Sequence, residues 1–327
     1  MNRHGLTVTD DSGPIAYIAR THAWYDALGT GNRYRYAEHT DVPFTRLTRP
    51  LAQSTVALLT TAVPYDASRG DQSVNAPYNA AAKFYAPYAL PSEQDHDLRI
   101  GHVSINRREM VDDANCWFPL PALRRARASG RIGSIARHVY GVPTNRSQRH
   151  TISVDAPEVL RRCQADGVDA AILVPNCPVC HQTMSLVARH LEAAGIATVV
   201  MGAALDIVER CGVARLLFSD VPLGSAAALP GDRGSQDSTL ALALDLLETA
   251  DAPRTTLWNP LRWSGDPDWK RHVYDGSSLT PAELQQHRDD LNAQKQAAHE
   301  IRDRTLERDH RGPPSHPSPP AQHLSGS

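Results

Sequence analysis

The residues best equipped for chemistry lie in one short run, Val174-Pro175-Asn176-Cys177-Pro178-Val179-Cys180-His181. Thiols at positions i and i+3 share one face of a helix, so the two sulfurs can reach each other there. The preceding Ala170-Ala171-Ile172-Leu173-Val174 is apolar throughout and predicts a buried strand. The following Pro178 to Ala194 carries Met184, Val187, Leu191 and Ala194 at helical spacing, with Gly195 where a left-handed cap is wanted. Cys177 is therefore expected at a helix N-cap, with Pro178 at the first helical position and Cys180 one turn on. Unpaired N–H groups and the helix dipole favour a thiolate there, lowering the pKa by roughly one to several units from about 8.5. Cys177 reads as the nucleophile and Cys180 as the resolving thiol, with His181 beside them as a catalytic candidate.

Other chemistries compete for the same residues. Cys-x-x-Cys-His also attaches c-type haem, but that chemistry needs an axial-ligand pocket and, in most bacteria, export. Zinc needs four ligands, and no second Cys-x-x-Cys or His pair is present, although His181 and a remote residue could complete a site; the alternatives to dithiol catalysis are a zinc-stabilised turn and a non-catalytic binding or regulatory protein of the same fold. The expectation is no metal and no cofactor beyond the dithiol itself. Cys116, Cys163 and Cys211 stand alone in apolar or helical surroundings and read as packing residues.

Elements must bring a thiol pair to an edge where substrate can meet it. The run Thr55-Val56-Ala57-Leu58-Leu59-Thr60 is apolar or β-branched on both parities and reads as the first core strand, stopped by Pro64. Residues 66 to 97 read as a long irregular excursion, Leu98 to Ile105 as a second strand, and Pro121 to Ala128 as a short helix. Then the alternation becomes regular: helix Ala156 to Ala165, the strand before Cys177 and its helix, strand Ile196 to Met201, helix Leu205 to Arg210 and strand Arg215 to Phe218. Ser235 is expected to cap a long apolar helix ending at Ala250. Strand and helix in short alternation mean right-handed βαβ units, so the fold class is α/β, a mostly parallel sheet flanked by helices.

In such a sheet the loops after the strands emerge at one edge, where ligands bind. That edge would gather Asp206, Asp220 and Gly224 near Cys177, joined by His102, Asp112, Asp113 and Asn115 if the strand from Leu98 runs the same way. Asp113 is the candidate acid–base carboxylate and the others are substrate-binding candidates, suited to an ammonium group. Asp113 has a competing reading as a structural cap.

The chain has 327 residues, 41% of them hydrophobic and 21% charged, with 34 Lys plus Arg against 36 Asp plus Glu and a net charge of −2. No basic field invites nucleic acid or an anionic membrane, and no apolar run reaches the roughly 18 residues of a membrane span. The odd number of cysteines and the lack of a secretory-type apolar run from Met1 to Ala19 lead to the expectation of a cytoplasmic protein. Residues 1–50 show no clean period and read as a cover segment, and 51–270 as the α/β domain pinned by Trp258, Trp263 and Trp269. Residues 271–310 read as a charged, solvated helical extension and 311–327 as a disordered tail.

Several segments together resemble a known group. Val168 to Pro175, Cys177-Pro178-Val179-Cys180-His181-Gln182-Thr183 and Glu192 to Thr198 look like the selenoprotein B family of glycine, sarcosine, betaine and D-proline reductases. Ala57 to Ala62, Asp112-Asp113-Ala114-Asn115 before Phe118-Pro119, Gly130 to Gly133, and Phe218 through Gly224 follow in the family's order, covering about residues 45 to 265. The resemblance implies an oxidoreductase in which a selenocysteine attacks an activated substrate, a cysteine resolves the product, and a disulfide is the formal acceptor. It also implies partner subunits, one bearing a pyruvoyl group, and a thiol electron donor such as a thioredoxin-like protein. This chain has no selenocysteine. One alignment lays the selenocysteine-x-x-cysteine pair on Cys177 and Cys180; another puts the selenium position at Val174. The first is preferred, because a strand-to-helix turn needs its nucleophile at the helix N-terminus.

Overall fold

A computed structural model describes residues 13–29, 33–72, 82–101, 113–263, 268–276 and 279–311. The first half of the chain forms helix α1 (Tyr17–Ala27), strands β1 (Thr55–Thr60), β2 (Val63–Pro64), β3 (Tyr88–Pro91) and β4 (Leu98–Arg99), helix α2 (Leu120–Ala128), and strands β5 (Ser134–Ile135) and β6 (His138–Gly141). A short helix α3 (Gln148–His150) runs through a π-helical turn into α4 (Ala156–Ala165). Then come β7 (Ala170–Val174), α5 (Pro178–Ala193), β8 (Ala197–Gly202), α6 (Leu205–Cys211), β9 (Arg215–Phe218), α7 (Arg233–Thr249), β10 (Thr255–Trp258), α8 (Trp269–His272) and α9 (Pro281–Arg311).

The main sheet has the order β10-β9-β8-β7-β1-β6-β3, with β5 also pairing β1. Every pairing in it is parallel except β3 against β6. Alternate residues of each strand serve opposite faces. Val56, Leu58, Ile172 and Val174 join Leu123 of α2 and Leu240, Leu244 and Leu247 of α7. Ala57, Leu59, Ala171 and Leu173 join Val159 of α4 and Met184, Val187 and Leu191 of α5 on the other side. Both parities are apolar because both faces are covered.

The chain leaves β1 toward β6 on one side and returns to β7 on the other, so the strand order reverses at the β1–β7 pair. Carboxyl ends at such a reversal splay their loops apart and leave a crevice. Cys177 follows β7 at that point, and Thr61, following β1, accepts a hydrogen bond from the Asn176 N–H (3.2 Å).

Three expectations are corrected. Leu98–Arg99 pairs antiparallel with Val63–Pro64 in a separate two-stranded sheet, so it does not deliver the following residues to the main sheet's edge. Asp232, not Ser235, caps α7, its carboxylate accepting from the Ser235 N–H at 3.1 Å. The first fifty residues include a regular helix, α1, buried through Tyr17, Thr21 and Trp24; the polar Thr21 in that stripe hides its period.

Strands β3, β5, β6 and β10 escaped the sequence reading because they are short or lie at the sheet's margin. At the β3–β6 pair Gly141 lies under the Tyr88 ring, whose atoms would stand 1.9 Å from a Cβ there. Trp258 belongs to β10, edge-on to Phe218 at 4.8 Å and 54% exposed, while Trp263 and Trp269 pack beside Tyr17 and Ile207. The charged extension forms α9, and it is not wholly solvated. Leu291 is buried with Trp24 and Leu28, and Arg288 Nε donates to the Leu28 carbonyl at 2.9 Å. Among the described residues no helix is long and apolar enough to cross a membrane.

Candidate functional site

Cys177 has the extended backbone of an N-cap, φ −116° and ψ 170°, and its sulfur accepts a hydrogen bond from the Cys180 N–H at 3.2 Å. Pro178 follows at the first helical position, where its missing N–H costs nothing. Cys177 and Cys180 are joined as a disulfide with Cα atoms 4.9 Å apart, within the usual range. Their exposure differs: Cys180 is fully buried, whereas Cys177 is 7% exposed and lines a cavity of about 60 Å³. Thr144 Oγ1 lies 3.2 Å from Cys180 Sγ, and toward a disulfide sulfur that hydroxyl is the donor. Asn176, wholly buried before the pair, has neither side-chain amide atom hydrogen-bonded among the described residues.

His181 occupies the turn with both ring nitrogens engaged. Nδ1 lies 2.7 Å from the Cys177 carbonyl and must carry the proton; Nε2 accepts from the Ala203 N–H at 2.9 Å. The ring ties the start of α5 to the end of β8, and Gly202 makes room for it, since a Cβ there would stand 3.1 Å from the ring. With both lone-pair directions committed, His181 has none left for a metal or a substrate proton. Among the described residues no group of three or more His, Cys, Asp or Glu side chains is placed to hold a metal.

Burial drives the His181 pKa down from 6.5 to about 4. The unfolded chain takes up a proton near pH 6.5 that the folded chain refuses until about pH 4. His181 therefore contributes full stability above pH 6.5 and loses it as the pH falls through that window, by up to about 3 kcal/mol. Asp155 acts in the opposite sense, because burial raises its pKa from 3.8 to about 6. The informative quantity is therefore a difference: His181→Gln should flatten the fall in urea midpoint between pH 6.5 and 4 relative to the parent. Parallel pH profiles for the two proteins would show that the ring titrates freely.

The carboxylates expected beside the thiols are elsewhere. Asp113 caps the turn Ala114–Cys116; Oδ1 accepts from the backbone and side-chain N–H groups of Asn115, and Oδ2 from Gly231 N–H and Gln236 Nε2, both at 2.9 Å. Asp113 and Asn115 thus fasten the loop that enters α7, on the sheet face opposite α5. Asp206 accepts from the Ile18 N–H at 2.8 Å and caps α1, with its carboxyl pKa raised by burial. Asp220 pairs with Lys270 at 2.6 Å, and Gly224 takes a positive φ of 88° in the same loop. None of these five residues lines the cavity beside Cys177. His102 and Asp112 fall outside the described residues.

The cavity is lined instead by Lys83, Thr144, Arg146, Tyr36 and His287 among others, with no carboxylate among the described residues. Arg146, at a positive φ of 53°, donates to the Tyr25 hydroxyl at 2.6 Å and stacks its guanidinium over the Tyr25 and Tyr34 rings at 5.4 and 5.1 Å. Gln182 of α5 holds that wall, accepting from the Ala37 N–H and donating to the Tyr34 hydroxyl, each at 2.6 Å. Helices α1 and α9 close the cavity through Trp24, Leu28, His287 and Leu291. Sequence reasoning passed over Lys83 and Arg146 because each lies in an irregular segment with no period to mark its direction. A lone lysine between Ala82 and Phe84 was the only local hint.

No family model matches the chain, and no solved structure does. Among curated proteins it is 27% identical over 190 residues to D-proline reductase subunit gamma of Acetoanaerobium sticklandii, covering 58% of this chain and 76% of that protein. It is 25% identical over 221 residues to the glycine reductase complex component B subunit gamma of Carboxydothermus hydrogenoformans, covering 66% of this chain and 48% of that protein. The Peptoclostridium acidaminophilum protein of the same name is 27% identical over 164 residues. The chain thus spans less than half the length of these glycine reductase relatives, which cover 49% of it in the latter case and correspond to 37% of that protein. Thiols at a parallel sheet's switch point thus occur in a chain that is a distant relative of the gamma subunits of D-proline and glycine reductases, the group its sequence resembles.

Proposed function

We propose that this chain is a reductase subunit that performs two-electron chemistry with the Cys177–Cys180 pair on a small, activated substrate. The observation that carries the reading is the asymmetry of the pair: Cys177 faces the cavity from a helix N-cap and Cys180 lies wholly buried behind it. In the reduced protein the Cys177 thiolate attacks the substrate X–Y, forming an S–X bond, while Y departs with the bonding electrons and takes a proton. The Cys180 thiolate then attacks Cys177 Sγ, closing the disulfide as X departs with its electron pair and takes the second proton. Two thiols become one disulfide, and X–Y becomes X–H and Y–H. A thiol donor such as a thioredoxin-like protein returns the two electrons by disulfide exchange. The curated relatives are subunits of multi-subunit reductases, which supports a role with partner subunits that activate the substrate. No zinc is invoked, since His181 has no free nitrogen at the turn.

The test is a competition among thiols. Burial pushes Cys116, Cys163 and Cys211 each up to about 12, so they hold little thiolate near neutrality. After mild reduction, alkylation near pH 7 read by peptide mass should mark Cys177 before any of these three. Labelling of Cys177 no faster than Cys116 or Cys211 would overturn the proposal.

A further inference from the structure

Among the described residues, the cavity beside Cys177 is lined by two cations and no anion. Lys83 is only 7% exposed, and among the described residues its ammonium has no hydrogen-bond or ion-pair partner, only the Tyr85 ring 5.4 Å away. A buried cation without a counter-ion is costly, and here burial together with the Arg146 charge draws the Lys83 pKa from 10.5 to about 8. Arg146 is held by Tyr25 and Tyr34 through its hydrogen bond and both ring faces, without a carboxylate. The N-terminus of the 16-residue helix α5 adds its positive dipole end to the same wall through Cys177, Pro178 and Val179. Every fixed charge that the described residues place on the lining is therefore of one sign, and the space, about 60 Å³, suits a few waters or a group of a few heavy atoms.

We infer that Lys83 and Arg146 form a seat for a small anionic group of the size and charge of a carboxylate, held next to Cys177. A carboxylate would supply the counter-charge that the buried ammonium lacks and accept from a planar guanidinium. This rests on the proposed reactivity of Cys177 and gives the pocket a polarity opposite to the one expected from the sequence. An ammonium-bearing substrate would enter with its negative end toward the cations.

The test uses two alkylating reagents of nearly equal size, iodoacetate and iodoacetamide, on the reduced full chain near pH 7. Each forms an S–C bond to a thiolate as the C–I bond breaks and iodide departs; only the first carries a carboxylate. For Cys177 the iodoacetate-to-iodoacetamide rate ratio should exceed that of the urea-unfolded chain by about tenfold, the scale of one well-placed charge interaction. Lys83→Met should lower the ratio to the unfolded value, Lys83→Arg should keep most of it, and acetate should slow labelling of the parent but not of Lys83→Met. A native ratio equal to the unfolded one, or a ratio unchanged in Lys83→Met, overturns the seat; so does protection by phosphate and not by acetate. If Lys83→Met does not fold, the parent's ratio and its acetate protection decide. Failure of Cys177 to react with either reagent sinks the thiol reading instead. The seat is then judged by whether acetate raises the melting midpoint of the parent.

Discussion

Cys180→Ser should trap a thiol partner on this protein: incubated with an excess of a small linear disulfide, its Cys177 thiolate attacks one sulfur, the other departs as a thiolate, and the mixed disulfide on Cys177 accumulates, while Cys177→Ser should accumulate none. The reason is access. An incoming sulfur, disulfide or thiolate, can reach Cys177, 7% exposed on the cavity wall, but not the fully buried Cys180. In the parent, exchange at Cys177 Sγ releases Cys180 as the leaving thiolate, and the donor's second thiol completes a two-electron reduction. Any reductive turnover by the assembled protein should vanish in Cys177→Ser, and in Cys180→Ser it should stop after one half-reaction. Intact mass under non-reducing conditions reads the adduct. An adduct located on Cys180 in Cys177→Ser, and absent from Cys177 in Cys180→Ser, would reverse the assigned order.

Arg215→Met should cost about 3–5 kcal/mol of stability, the largest single loss expected outside the site. Arg215 and Glu192 are both essentially buried and pair at 3.0 Å. Glu192 also accepts from the Thr198 N–H at 2.6 Å and the Thr45 N–H at 2.5 Å, while Arg215 donates to the Thr45 carbonyl at 2.7 Å and stacks over Phe44 at 4.4 Å. The pair fastens the end of α5 to the starts of β8 and β9 and to the segment before β1, at the edge of the sheet away from Cys177. Removing the guanidinium leaves a carboxylate in a place that cannot solvate it. Adding Glu192→Leu should recover only part of the loss, because the Thr45 and Thr198 N–H groups then lack their acceptor. Urea unfolding measures both variants. A loss below about 1 kcal/mol in Arg215→Met would show that water reaches the pair.

What the sequence alone determined follows from local rules. Two-sided apolarity marked Thr55–Thr60 and Ala170–Val174 as covered strands, and helical period with Gly195 marked α5. Pro178 after Cys177 placed the thiol at an N-cap, because a cap, a first-turn proline and a spacing of three are properties of consecutive residues. The resemblance to the reductase group lay in the same consecutive residues, and distant relatives support it.

Tertiary structure decided what faces the thiols. Asp206 and Asp220 come after strands as expected, whereas Asp113 adjoins none, and each of the three carboxylates is engaged by backbone N–H groups or by Lys270. A loop residue's direction depends on the nearest unsatisfied donor, which sequence does not show. Lys83 and Arg146 come to Cys177 from irregular segments 94 and 31 residues before it along the chain, with α1 and α9 closing over them. No period of 2 or 3.6 operates across such distances. The sign of the pocket's charge is therefore a consequence of chain return, where packing places two cations together and leaves Asp113, Asp206 and Asp220 occupied elsewhere.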